Sequence, residues 1–491
     1  MNRFRSARRA AVRRPALMAG LTVLVAAGLA ISEMTASADP AARPTARPSA
    51  AASCAPAADG PSGPPGTPKP TTVATLRMAY QCILDHTYIG PVIDDRVLFA
   101  AAFKNVTAEL AKRGLDRSVA TLPALTGRRG ADWDAFATTY QTLLDALPND
   151  PALRQALAEA VIGGMIAAIG DDHDVWTGSF HGSPAGYTLG ILPGSSGRAT
   201  PNIRDAQPPF YVLKVEPGSP AEQAGLKPGD VIEAVNGVPL VVNGMVSPGV
   251  LGWLQPTTAD PVKVTLHRPA TDRTWTAELR PASPTPAGPR TPPPVTVTLI
   301  DGGVADVVLP DFMPGRADEV LQKLAALRKT SDVRGVVLDL RSNGGGRAEE
   351  VAKLLGAFAH NKITGWSCPL HGPCTPDRTD DTTPLLNLPM VELTNSMCAS
   401  ACDAFSSAVR DLKLGKLVGE RTSGIVAGKP SAYVLDDNTS LVLVGQHQLG
   451  ADREILDGIG VAVDYNAPLT AEALSKGTDP AVQRAVALLT S

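Results

Sequence analysis

RGVVLDLRSNGGG, residues 334–346, is the stretch that decides the fold. Val336, Val337, Leu338 and Leu340 make a short, nearly unbroken apolar run, the pattern of a strand covered on both faces. A serine, an asparagine and three glycines then end it abruptly. Outward from this point the same alternation repeats. VTVTLID and VADVVLP read as strands, RADEVLQKLAALRK as a helix. AEEVAKLLGAFA is helical, MVELT a strand, DAFSSAVRDL helical and GKLVGE a strand. Strands alternating with helices imply an α/β core with a largely parallel sheet and helices on both faces. Functional groups of such sheets gather at strand C-termini. Two loops fall there, RSNGGG and NSMCASA.

The second loop, in NSMCASACDAF (residues 395–405), places Ser400 between two alanines and two cysteines. Small residues let a chain turn sharply between a strand and a helix. Such a turn can aim a hydroxyl outward, or Ser400 can simply cap the helix that begins near Asp403. Gly344, Gly345 and Gly346 likewise have two readings. They can bring backbone N–H groups close to a developing negative charge, or they can make a tight strand-to-helix turn.

Upstream, residues 210–240 read FYVLKVEPGSPAEQAGLKPGDVIEAVNGVPL: strand, turn, short helix, Pro-Gly turn, strand, Asn-Gly turn, strand. VKVTLHRPA and TWTAEL add two strands. A β-rich module therefore spans residues 183–284, with a Pro-rich linker at 285–296 and the α/β core with a C-terminal helix at 297–491. Residues 73–182 carry apolar residues at helical spacing and form an N-terminal helical domain. Residues 39–72 are a Pro/Ala-rich linker.

The N-terminus carries an address. A basic segment is followed by the apolar run ALMAGLTVLVAAGLAI and by ASA ending at Ala38. This is the order of a signal peptide over residues 1–38, so a secreted, extracellular protein is expected, with no stable membrane span after cleavage. The net charge of −3 and the lack of long single-sign runs give no nucleic-acid footprint.

Export makes the six cysteines candidates for disulfides. Cys368 with Cys374 and Cys54 with Cys82 are natural pairs. Cys398 and Cys402, an i, i+4 pair, would need unusual local geometry to bridge, or can be free buried residues. No C-x-x-C pair occurs, so no zinc site is expected.

VVLDLRSNGGG, ELTNSMCASACDAF, KLVGERTSG and ILDGIGVAVD occur in this order, behind the β-rich module. The set resembles the C-terminal processing (tail-specific) and tricorn-core serine peptidases, and the module resembles a PDZ domain. The resemblance runs from about residue 73 to the C-terminus. It implies a ClpP/crotonase-like core, a polypeptide substrate and no metal or organic cofactor. A PDZ-like domain would receive the C-terminal end of a polypeptide at a sheet edge, near GYTLGI (residues 186–191), and present or gate it.

The resemblance also assigns roles. Ser400 falls where the nucleophile falls, with cysteines in place of the flanking serines often found there. The amide of Gly344 or Gly345 would act with that of Ala401 on the oxyanion. One branch uses a lysine base, but Ile425 stands at its position; Lys429, four residues on, shares a strand face with it and could point toward the site, or is an ordinary surface lysine. The other branch uses a histidine, and His173 in IGDDHDVWTG holds the matching place. The branch's neighbouring serine is missing; Asp172 or Asp174 could orient the imidazole, or only solvate the loop. Asp457 stands where the branch has a glutamate, one methylene shorter, or it is a turn residue in LDG. His86, His181, His267, His360, His371 and His447 show no motif spacing and are set aside. The reading is thus a serine-type peptidase. The alternative is a catalytically weak relative that binds peptides.

Overall fold

The computed structural model describes residues 54–56, 67–115, 117, 121–171, 173–176, 187–196, 207–283, 293–428 and 430–491. Residues 1–38, most of residues 39–72 and 285–296, Asp172, His181, Gly186 and Lys429 lie outside the described residues.

Four helices come first: α1 (Val73–His86), α2 (Asp95–Lys112), α3 (Arg129–Asp145) and α4 (Pro151–Ile169). Side chains cap three of their starts. Thr72 forms a capping box with Thr75, Asp94 accepts from the Arg96 N–H, and Asp150 accepts from Ala152 N–H ahead of Pro151. Helix α4 is long and apolar enough to cross a bilayer, yet its Leu157, Val161, Ile162 and Met165 lie in the core of this helical unit. Gly170, with φ 78°, ends α4 and releases the chain toward strand β1 (Val175–Trp176).

The β-rich module follows as β2 (Ile191–Ser196), β3 (Gln207–Val215), α5 (Pro220–Gln223), β4 (Val231–Val235), β5 (Val262–Arg268) and β6 (Arg273–Leu279). Its sheet is antiparallel in the order β6-β5-β4-β3-β2, so β2 is an edge strand. The Tyr211 hydroxyl donates to the carbonyl of Leu469 at 2.6 Å and ties this sheet to the end of the chain.

The core opens with β7 (Thr296–Ile300), β8 (Val304–Val308), α6 (Arg316–Thr330), β9 (Gly335–Asp339) and α7 (Ala348–Gly356). It continues through β10 (Ile363–Pro369), β11 (Thr375–Arg378), β12 (Met390–Thr394), α8 (Ala401–Asp411) and β13 (Gly415–Gly419). Strands β14 (Pro430–Val434), β15 (Ser440–Val444), β16 (Gln446–Leu449) and β17 (Tyr465–Asn466) come next, then α9 (Ala471–Ser475) and α10 (Pro480–Thr490). The main sheet runs β7-β8-β9-β12-β13-β17. All neighbours are parallel except β7 and β8, so the parallel sheet has one antiparallel edge. The smaller sheets, β11-β10-β16 and the one containing β14, β15 and β1, are antiparallel.

Period-two alternation explains the apolar run that opened the sequence reading. Val336 and Leu338 pack beneath α6, α7 and α8, while Val337 faces Ala481 and Ala485 of α10. Each fully buried side chain of this size contributes roughly 1.5–3 kcal/mol. The β14–β15 hairpin has a different partner. Tyr433, Leu435, Leu441 and Leu443 join the core of the helices, so the helical unit and the α/β core share it. All three cysteine pairs, 54–82, 368–374 and 398–402, are disulfide-bonded.

Glu392 sits on β12, fully buried, accepting from the Ser406 hydroxyl of α8, with its other oxygen unpartnered among the described residues. Burial, helped by nearby Asp403 and opposed by the Ser406 hydrogen bond, pushes its carboxyl up to about 8 from an ordinary 4.5. Between those values the folded chain keeps a proton that the unfolded chain has released. Stability therefore falls as pH rises through that window, by roughly 1.4 kcal/mol per pH unit for one such group. Glu392→Gln removes the titration. Thermal melts across the window should show a shallower decline for E392Q than for wild type; parallel curves would mean that Glu392 titrates normally.

Candidate active site

The strands β9 and β12 are parallel neighbours, and their C-terminal ends release the two loops singled out in the sequence. Ala399 N–H donates to the carbonyl of Asn343 at 3.1 Å, so the loops touch directly. Ser400 takes φ 59° and ψ −116° just before α8. A non-glycine residue held there costs of order 1–3 kcal/mol. Its N–H donates to Ile425 O at 2.7 Å, which fixes the turn from a third segment. Its hydroxyl makes no capping bond to α8, which removes the helix-cap reading. Ala401 is the first residue of α8, so its N–H has no acceptor within the helix.

The glycine loop fits under this turn because it lacks side chains. A Cβ on Gly345, whose φ is 102°, would lie 2.7 Å from Ala399 O and 2.8 Å from Ser400 Cβ. The three glycine amides are not equivalent. Gly345 N–H donates to Asn343 Oδ1 at 2.9 Å and is occupied. Gly345 O accepts from Phe312 N–H, and Arg347 N–H donates to Phe312 O, both at 2.8 Å. The parallel bridge between Phe312 and Gly346 uses the groups of the flanking residues, so the Gly346 N–H turns away from Phe312; Gly346 itself lines a cavity.

That cavity, about 620 Å³, is also lined by Ser400, Ala401 and His173. Val351, Ala404 and Val426 give it an apolar wall. A second wall is polar: Asp377 accepts from Ser367 Oγ at 3.0 Å and from Gln448 Nε2 at 2.7 Å.

His173 reaches the cavity from the helical unit. Two bonds hold its segment: β1 pairs with β15, and Asp174 Oδ1 accepts from Val444 N–H at 2.8 Å. Burial pushes the Asp174 carboxyl up to about 7; its Oδ1 is given to the backbone, and His173 lies within its field. A carboxylate that meets the imidazole is Asp171, which the sequence reading did not weigh. Its Oδ1 lies 2.8 Å from His173 N and 3.1 Å from His173 Nδ1, and Asp171 Oδ2 is buried without a partner among the described residues. A carboxylate opposite Nδ1 favours the proton there and leaves Nε2 as the basic nitrogen. The signal was legible: Gly170 ends the helix, and an aspartate then readily bonds the backbone two residues on.

Asp457 accepts from Val426 N–H at 3.2 Å and so anchors the loop that carries Ile425 O. Burial raises its carboxyl, the field of Asp171 adds to this, and His447 and His173 counter it. His447, set aside in the sequence reading, thus lies within electrostatic reach of Asp457; its Nδ1 is buried without a partner among the described residues. Beneath the turn, buried Asp403 accepts from Gly424 N–H at 3.0 Å and Ser423 Oγ at 3.2 Å, pinning the same loop to α8. Serine, imidazole, Ala401 and Gly346 share one cavity; Lys429 lies outside the described residues.

Residues 303–467 match peptidase family S41, and residues 211–268 match a PDZ domain. The chain is 32% identical over 276 residues to the chloroplastic C-terminal processing peptidase of Tetradesmus obliquus, across 52% of this chain and 55% of that one. It is 24% identical over 313 residues to the carboxy-terminal processing protease CtpA of Bacillus subtilis, across 64% of each. The chain spans 55% and 64% of the length of these two relatives. Among solved structures, mature CPAF has a similar fold, with a TM-score of 0.50 and 11% identity across 86% of this chain and 96% of that one.

The packing of the two loops makes a sharp comparison. Gly345→Ala should destabilise the protein by about 2 kcal/mol or more. Gly344→Ala, whose Cβ meets nothing within 4 Å, should stay within about 1 kcal/mol of wild type. Denaturant titration of both variants checks this, and equal effects would refute the close approach of the loops.

Proposed function

Because residues 303–467 carry a peptidase family S41 domain beside a PDZ domain, we propose that this chain is a serine-type peptidase that cuts polypeptides through an acyl-enzyme. The observation that carries the proposal is the shared cavity. The strained turn at Ser400, the imidazole of His173 and the glycine loop face one space from three distant segments. A ClpP/crotonase-like arrangement of the core fits this reading.

In this mechanism His173 Nε2 takes the Ser400 Oγ proton as Oγ attacks the substrate carbonyl. Asp171 holds the imidazole and stabilises the positive charge that develops. The oxyanion receives the N–H of Ala401 and one from the glycine loop. The Gly345 N–H is given to Asn343, which leaves Gly344 and Gly346 as the candidate loop donors. One such donor is typically worth about 2.7–4 kcal/mol of transition-state stabilisation. The imidazolium then returns its proton to the leaving amine, and water releases the acyl group. Asp457 supports the site through the loop at Val426. The apolar wall of Val351, Ala404 and Val426 receives a substrate side chain.

Among the described residues β2 is an edge strand of the PDZ-like sheet, the place where an extended polypeptide adds, its C-terminal end at the adjoining loop. The basic, apolar and small-residue order of residues 1–38 supports export, with a mature chain that begins at Asp39.

A fluorophosphonate probe tests the chemistry. Wild type should be modified once, at Ser400, and Ser400→Ala should not react. His173→Ala should slow labelling about 10²–10⁴-fold. Asp171→Asn should slow it by at least about tenfold and alter the acid limb of its pH profile. Equal labelling of S400A, or unchanged labelling of H173A, would overturn the assignment.

A further inference from the structure

Ser400 is the middle residue of a disulfide ring. Cys398 and Cys402 are bonded across a sequence separation of 4, with Cα atoms 5.2 Å apart. The ring encloses the one residue of this turn held at positive φ. We propose that this disulfide is a positioning element for the nucleophile: it holds the turn in the conformation that presents Ser400, so the site is completed only in an oxidised chain. The inference rests on the reading of Ser400 as nucleophile.

The surroundings support it. Cys398 and Cys402 are both fully buried. Cys398 Sγ lies 3.5 Å from Ser406 Oγ on α8, and Cys402 Sγ lies 3.9 Å from Leu340 O at the end of β9. The bridge therefore fills the gap between the strand that feeds the glycine loop and the helix that follows the serine. Cys398 O accepts from Ser423 N–H at 2.9 Å, so the ring also seats the loop whose Ile425 O holds Ser400 N–H. Without the bond, the hydrogen bonds that hold the turn are each of comparable size to the strain at Ser400. The other two bridges are placed differently. Cys54–Cys82 staples the helical unit, and Cys368–Cys374 links β10 to the start of β11.

Burial also sets when the bond can form. A thiolate of one cysteine attacks a disulfide carried by an oxidoreductase or a small molecule. The second thiolate then displaces the carrier from the mixed disulfide. The two cysteines lose two protons and two electrons in all, and the carrier leaves as its dithiol. With both cysteines at 0% exposure this exchange must precede final packing, and the packed bond is afterwards shielded from reductants. The bridge is thus a one-way step of maturation.

The test uses the full-length oxidised protein and the Cys398→Ser/Cys402→Ser variant, with Cys54→Ser/Cys82→Ser as comparator. Three quantities are read: the fluorophosphonate labelling rate, hydrogen–deuterium exchange of the Ser400 amide, and the thermal midpoint. The 398/402 variant should label at least tenfold more slowly and lose protection at the Ser400 amide while still melting cooperatively. The 54/82 variant should lower the midpoint and keep the labelling rate per folded molecule. Labelling within twofold of wild type with retained protection would overturn the proposal. If C398S/C402S fails to fold, Cys398→Ala/Cys402→Ala replaces it. Failure of both also overturns the proposal, because the bridge is then a staple for the whole fold. If wild type itself is not labelled, the peptidase reading fails, and the exchange measurement still decides whether the bridge sets the turn.

Discussion

Two parallel strands that lie side by side set the distance on which this site depends. Strands β9 and β12 end in register, and the glycine loop and the serine turn leave from adjacent ends of the sheet. Contact between them is direct, through Ala399 N–H to Asn343 O and through Gly345 beneath Ser400. The sheet is rigid because β9 is buried on both faces, by three helices on one side and α10 on the other. Backbone donors and hydroxyl thus inherit their spacing from the main-chain ladder, which side-chain motion cannot easily change.

The imidazole arrives by a separate route. His173 follows the helical unit, and its position depends on β1 pairing with β15 and on Asp174 holding Val444 N–H. The same hairpin packs against the helices through Leu441 and Leu443 and continues into β16, which lines the cavity with Gln446 and Gln448. One hairpin therefore relates the histidine to the serine. The loop bearing Ile425 is the third participant, and it is held from two sides by Asp403 and Asp457.

Much of this was legible in the sequence because its causes are local. The apolar run at 336–340, the glycines after it and the small residues around Ser400 each state a backbone requirement, and the strands and helices of the core fall where those patterns put them. What escaped depends on three-dimensional neighbours. Asp171 was not weighed beside Asp172 and Asp174, since adjacency in the chain says little about which carboxylate turns toward a ring. His447 looked like a bystander because its nearness to Asp457 comes from the reversal of the chain after β16, where Leu449 bridges Ile455, and no motif marks it. The three glycines were inseparable until the bond to Asn343 showed that the Gly345 amide is occupied. Whether Cys398 and Cys402 are bonded was open because spacing alone permits either state.

The shared hairpin has a consequence for how the chain can be divided. A fragment cut to the matched residues 303–467 would retain the serine, both loops and most of the main sheet. It would also leave Tyr433, Leu435, Leu441 and Leu443 without the helices that cover them, and it would lack the histidine. Such a truncation would be sticky as well as incomplete. The matched segment is not an autonomous module, and evolution or engineering that recombines this chain has to move the helical unit with it.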